Sequence, residues 1–282
     1  MFDFKGLVSF SVQDSEACSI HESGPGSIST LLHLREVGVK RRTVRDTEQE
    51  RSFWNIGHRG AAGHAPENTL RSFREALTFN VDAVELDVHA ADGELFVHHD
   101  ETVDRMTDGS GELSELSTLQ IKSLRIEGTE TIPTLKEVLQ EIPVGVVVNI
   151  ELKGAETAKP VSELLEQLSE EDQKRILVSS FSYDELRVFN RLSPEISIGV
   201  LGREYPQEAI YFAREIGAFS VHIALESVNA KQVETVHGEG RSFFVFTVND
   251  PDDIEEMYEL GVDGVFSDYP DRVRDFIQSI ST

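Results

Sequence analysis

GVVVNIEL (145–152), AKPVSELLEQL (158–168), ILVSSF (176–181), YDELRVFNRL (183–192) and ISIGVL (196–201) alternate short apolar stretches with longer segments. The short stretches lack the polar–apolar alternation of a sheet with one wet face, so they read as strands buried on both sides. In the longer segments the apolar residues recur at three- and four-residue spacing, as one-faced helices require. Such repeats form a parallel sheet covered by helices.

The pattern extends in both directions. FWNIGH (53–58) and AVELDV (83–88) precede it as strands; FSVHIAL (219–225), SFFVFTV (242–248) and DGVFS (263–267) follow. Helices are expected over NTLRSFREALTF, KEVLQEI, PQEAIYFAREIG, NAKQVETVHG, PDDIEEMYELG and DRVRDFIQSI. Before and within PDDIEEMYELG, Asp250 suits the cap, Pro251 the first turn and Gly261 the end. Eight such units close into an α/β fold, a (β/α)8 TIM barrel. A doubly wound open sheet is the alternative, but no Gly-rich dinucleotide loop follows the first strand. Residues 89–144 are far longer than an ordinary connection. This small insertion between the second strand and the third strand is expected to cap the active end.

The chain has 282 residues, and α/β barrels often run to about 200–250 residues as one domain. Residues 1–50 contain the turn-rich ESGPGSIST (22–30) and the basic KRRTVR (40–45), and are expected to be a poorly ordered extension before a barrel domain over 51–282. A hydrophobic share of 39% supports a sizeable core. No run approaches the ~18 apolar residues of a membrane span, and the start does not read as a secretory signal. A single cysteine, Cys18, fits a reducing, cytoplasmic setting.

Acidic residues number 51 against 26 basic, a net charge of -25. That field disfavours nucleic acid and anionic membrane surfaces as general partners. With 8 lysines against 18 arginines, the acidic coat suggests adaptation to high salt, with a plain acidic cytosolic enzyme as the alternative. Any anionic substrate then needs locally concentrated positive charge.

Reactive groups of such a barrel sit at the C-terminal strand ends. His58 and Arg59 close the first strand; Glu85 and Asp87, two apart, share one side of the second; Glu151 and Lys153 repeat that spacing on the third. Asn249 and Asp268 follow the seventh and eighth. Three converging carboxylates demand a counter-ion, and their oxygens suit one divalent cation, Mg2+ or Ca2+. Arg59 and Lys153 suit a phosphoryl group. Two histidines supply the base and the acid of phosphodiester cleavage. Singly, His58 reads as a hydrogen-bonded strand-end residue, and Glu151 and Lys153 as a simple pair. Adjacent His98 and His99 compete for one role, since neighbours on an extended segment point opposite ways. His64 is a weak candidate; His89, His222 and His237 read as structural or exposed. Ser179, Ser180 and Ser182 lack a nucleophile elbow.

From about Trp54 to Asp275 the chain resembles the glycerophosphodiester phosphodiesterase family. The resemblance rests on HRG (58–60), PENT (66–69), ELDV (85–88), DG (92–93), HDETVDRMTDGSG (99–111), IPTL (132–135), NIELK (149–153), SSF (179–181), FTVND (246–250) and SDYP (267–270), in order and spacing. It implies a metal-dependent enzyme releasing sn-glycerol 3-phosphate and an alcohol from a small glycerophosphodiester. It implies His58 and His99 as the catalytic pair, His99 because the family's aspartate follows it. It also implies Glu85, Asp87 and Glu151 as metal ligands, Arg59 and Lys153 as phosphate or metal-site contacts, and attack by the substrate's own glycerol hydroxyl through a cyclic phosphate. Phe246 stands where the family usually has tryptophan, keeping an aromatic face for the substrate but losing the indole N–H. A lysophospholipase D-type or broader phosphodiesterase activity on the same site is the alternative. A catalytically inactive phosphodiester-binding barrel would need one of these groups missing, and none is.

Overall fold

The computed structural model describes residues 53–281. The extension expected over residues 1–50 lies outside them. In chain order the elements are β1 (Trp54–Gly57), α1 (Leu70–Thr78), β2 (Ala83–Ala91), β3 (Glu94–Val97), α2 (Thr118–Ser123), α3 (Leu135–Glu141), β4 (Val147–Leu152), α4 (Ala158–Leu165) and α5 (Glu170–Gln173). Then follow β5 (Ile176–Ser180), α6 (Tyr183–Leu192), β6 (Ser197–Gly202), α7 (Pro206–Ile216), β7 (Ser220–Ala224), α8 (Ala230–Gly238), β8 (Ser242–Phe246), α9 (Pro251–Leu260), β9 (Gly264–Ser267) and α10 (Pro270–Ile280).

Every strand except β3 joins a parallel ladder, and β1 pairs with both β9 and β2, so the eight-stranded sheet closes. The TIM barrel expected from the sequence is the fold. Inward and outward residues alternate along each strand, as the pleat dictates. Outward Val84, Leu86, Val148, Ile150, Val221 and Val265 pack with helix residues such as Phe73, Phe189 and Ile254 in the main core. Inward Ile56, Ala83, Leu201, Phe244, Phe246 and Phe266 form a second cluster inside the barrel. The same inward parity holds Glu85 and Asp87 on β2 and Glu151 on β4, in register with one another: Glu85 opposite Asn149, Asp87 opposite Glu151.

The helix α9 starts and stops where its sequence says. The Asp250 carboxylate accepts from the N–H of Asp252, Pro251 occupies the first turn, and Gly261 leaves the helix at φ 99°. Most strand boundaries shift by one or two residues; the largest shift is in the second strand. The second strand continues past Val88 to Ala91 and pairs antiparallel with β3. Asp92 and Gly93, both at positive φ, make the tight turn between them, as an Asp-Gly hairpin requires. The insertion therefore opens as a hairpin growing out of a barrel strand, and Phe96, Val103, Leu113, Ile121, Ile126 and Ile132 give it a core of its own. Among the described residues no helix is long and apolar enough to cross a membrane.

His222 is fully buried in the barrel, edge-on to Phe244, with Nε2 on the Ser220 hydroxyl at 2.8 Å. Burial pushes its pKa down to about 3. The unfolded chain thus binds a proton that the folded chain refuses. Stability conferred by this group is complete above about pH 6.5 and is lost as pH falls toward 3, at about 1.4 kcal/mol per unit. A His222→Asn variant should show a shallower acid limb in urea-unfolding free energy. An unchanged limb would remove His222 from the acid sensitivity of the fold.

Candidate active site

The three inward carboxylates converge. Oxygens of Glu85, Asp87 and Glu151 lie within 4.8 Å of one another, and all three side chains are largely buried. Burial, then repulsion from Asp87 and Glu151, holds Glu85 well above the usual carboxylate range. Burial and the charge of Asp87 push Glu151 up to about 7, against the pull of Lys153. Two cations meet them. Lys153 Nζ lies 3.0 Å from Glu151 and 3.7 Å from Asp87. Arg59 donates its backbone N–H to Glu85 at 2.8 Å and sets its Nε 3.3 Å from Asp87. The turn that aims Arg59 bends through positive φ at Arg59 and Gly60, where a Cβ on Gly60 would strike Ser72. Asn68 donates to Asp87 at 2.8 Å.

Two cations for three tightly grouped carboxylates leave the cluster short of positive charge. The Oδ1 of Asn149, buried in the same wall, has no hydrogen-bond partner among the described residues. An all-oxygen, buried, electron-rich donor set of this kind fits a hard divalent cation.

His58 and His99 face the same basin, with Arg59, Glu85, Asn149, Glu151 and Lys153 on its polar side and Phe181, Leu201, Phe246 and Phe266 on the other. Each histidine is held through Nδ1. His58 Nδ1 meets Asp268 at 2.7 Å, and the Asp268 carboxylate in turn accepts from the Asn249 side-chain NH2 at 2.7 Å while its backbone N–H donates to the Asn249 Oδ1. Burial raises the pKa of Asp268, but the hydrogen bonds from His58 and Asn249 outweigh it and hold the group below the carboxylate norm. His99 Nδ1 meets Asp100 at 2.6 Å. Burial lowers the His99 pKa, with Asp87 and Asp100 opposing. With Nδ1 committed to a carboxylate, each ring keeps Nε2 for proton transfer.

The family model for glycerophosphoryl diester phosphodiesterases matches residues 58–272. The chain belongs to the glycerophosphoryl diester phosphodiesterase family. Its members are phosphoric diester hydrolases. A glycerophosphodiester phosphodiesterase of Caldanaerobacter subterraneus is 34% identical over 236 residues, covering 79% of this chain and 97% of that one. One from Bacillus altitudinis is 35% identical over 234 residues, covering 77% and 95%. The solved structure of an Oleispira antarctica phosphodiesterase, in complex with the product sn-glycerol-3-phosphate, superposes with a TM-score of 0.75 at 33% identity, covering 79% of this chain and 96% of that one.

In this phosphodiesterase fold the residues singled out in the sequence divide cleanly. His58, Arg59, Glu85, His99, Glu151, Lys153 and Phe246 line one basin, and Asp87 lies against it through Arg59 and Lys153. His98 is turned away, its Nε2 on the Thr102 carbonyl at 3.0 Å. His64 pairs with Asp271, and His237 with Asp263. Asn68, Asn149, Glu67 and Arg105 carry no role in the reading of single strand ends. Their one signal was membership of the PENT, NIELK and HDETVDRMTDGSG motifs.

Proposed function

We propose that this enzyme hydrolyses small glycerophosphodiesters to sn-glycerol 3-phosphate and an alcohol, with Glu85, Asp87 and Glu151 holding one Mg2+ or Ca2+ ion. The observation that carries this is the placing of two carboxylate-backed imidazoles on one basin with the acidic triad. When bound, a divalent cation supplies charge neutralisation to the phosphoryl oxygens. Arg59 and Lys153 grip the phosphoryl group, the first as a fork and the second as a point charge. His58 Nε2 takes the proton of the substrate's glycerol hydroxyl as its oxygen bonds to phosphorus. His99 Nε2 gives a proton to the departing alcohol oxygen as its bond to phosphorus breaks. Water then opens the cyclic phosphate with the two imidazoles in exchanged roles. Phe246 and Phe266 offer an apolar wall to the glycerol carbons.

The apolar side reaches the surface at Phe181, which is 42% exposed. That favours a second substrate class on the same site, lysophospholipids cleaved in lysophospholipase D fashion. The test is a panel of glycerophosphocholine, glycerophosphoethanolamine and a lysophosphatidylcholine, at low and molar salt, with release of glycerol 3-phosphate or lysophosphatidate measured. The diesters should turn over and stop doing so in EDTA. Metal-loaded protein inert on the whole panel would contradict the assignment.

A further inference from the structure

The two histidines are backed differently. Asp268, behind His58, is fixed by the neutral amide of Asn249. Asp100, behind His99, is fixed by a charge: its Oδ1 meets His99, and its Oδ2 accepts from Arg105 Nε at 2.6 Å. Arg105 turns the other side of its guanidinium on Glu67 as a fork, Nη2 to Oε1 at 2.6 Å and Nη1 to Oε2 at 3.1 Å. Glu67 Oε1 also accepts from Arg59 Nη1 at 2.9 Å. Charges therefore alternate along Arg59, Glu67, Arg105 and Asp100 and end on the His99 ring. The chain of contacts joins two separate segments, the loop after β1 and the stretch of the insertion after β3.

We propose that Arg105, clamped by Glu67, is a positioning residue that sets the His99 ring relative to the phosphate-gripping Arg59. The proposal rests on His99 being the acid. A half-exposed bridge contributes little to folding stability, and Arg105 is 48% exposed in its side chain. Its geometry matters more. The planar guanidinium fixes two carboxylates in one plane, which lysine cannot do. With Arg105 removed, Asp100 keeps only the contact to His99 and is free to turn with it. A displacement of about 1 Å at a proton-transfer group costs on the order of 100-fold in rate.

The test compares Arg105→Met, Arg105→Lys and His99→Ala on two substrates under single turnover. One is glycerophosphocholine, whose alcohol must be protonated to leave. The other is the p-nitrophenyl ester of glycerol 3-phosphate, whose phenolate departs without a proton. Arg105→Met should lose roughly 30- to 100-fold in rate on glycerophosphocholine, with KM within about threefold, and less than about threefold on the p-nitrophenyl ester. Arg105→Lys, charged but unable to fork, should recover only part of the loss. His99→Ala should show the same contrast, more strongly. Equal losses on both substrates for Arg105→Met, or full activity of either Arg105 variant, would overturn the positioning role while leaving His99 as the acid. Equal losses for His99→Ala would remove the acid assignment and the Arg105 role with it.

Discussion

Replacing His99 with alanine should lower steady-state turnover of glycerophosphocholine by roughly 100-fold or more, with a much smaller change in KM. Position and protonation both set this expectation. The ring donates its Nδ1–H to the Asp100 carboxylate and faces the basin, while Arg59 and Lys153, the groups proposed to hold the phosphate, are untouched by the change. Binding therefore survives and proton delivery does not. The pH profile supplies a second check. Burial holds the His99 pKa below its ordinary 6.5. An acid works only while protonated, so kcat/KM should fall as pH rises through a value below 6.5, and that limb should vanish in His99→Ala. A variant with near-normal rates, or an unaltered limb, would take the acid role away from His99.

Glu85→Gln should weaken divalent-cation affinity by roughly 100-fold, with activity partly regained at high metal concentration. The same change should have the opposite effect on the metal-free fold. Glu85 is fully buried beside Asp87 and Glu151 and sits well above the normal carboxylate range. A raised folded pKa means that stability is present below the unfolded value of about 4.5 and is lost as pH rises toward the folded one. The glutamine cannot ionise, so the metal-stripped variant should unfold at higher temperature than the metal-stripped parent at neutral pH. Cation should raise the melting temperature of the parent far more than that of the variant. A variant whose metal titration matches the parent's would show that Glu85 is no ligand.

Much of this site was readable from local pattern. Glu85 and Asp87 sit two apart on a strand buried on both sides, and Glu151 and Lys153 repeat that spacing, so a period of two puts each pair on one side of its strand; which side faces the barrel interior depends on closure. The barrel was legible for the same reason, since eight apolar strands alternated with one-faced helices. The β2–β3 hairpin escaped because Val88-His89-Ala90-Ala91 carries weak alternation, although the Asp92-Gly93 turn was a usable signal. Strand-end spacing alone left His98 and His99 unresolved; only the family resemblance, through the aspartate following His99, chose between them. In the structure His98 Nε2 is turned onto the Thr102 carbonyl. Contacts between distant segments have no local trace. His58 finds Asp268 across 210 positions, and Arg105 finds Glu67 across 38, because barrel closure and the folded insertion bring their loops together.

A cation seated among Glu85, Asp87 and Glu151 is the requirement on which the proposed chemistry turns. Anomalous diffraction from crystals soaked in Mn2+ locates it directly. The expected result is a single strong peak within coordinating distance of oxygens from all three side chains, beside His58 and His99. Absence of that peak from a fully ordered triad, with manganese bound elsewhere or not at all, would contradict it.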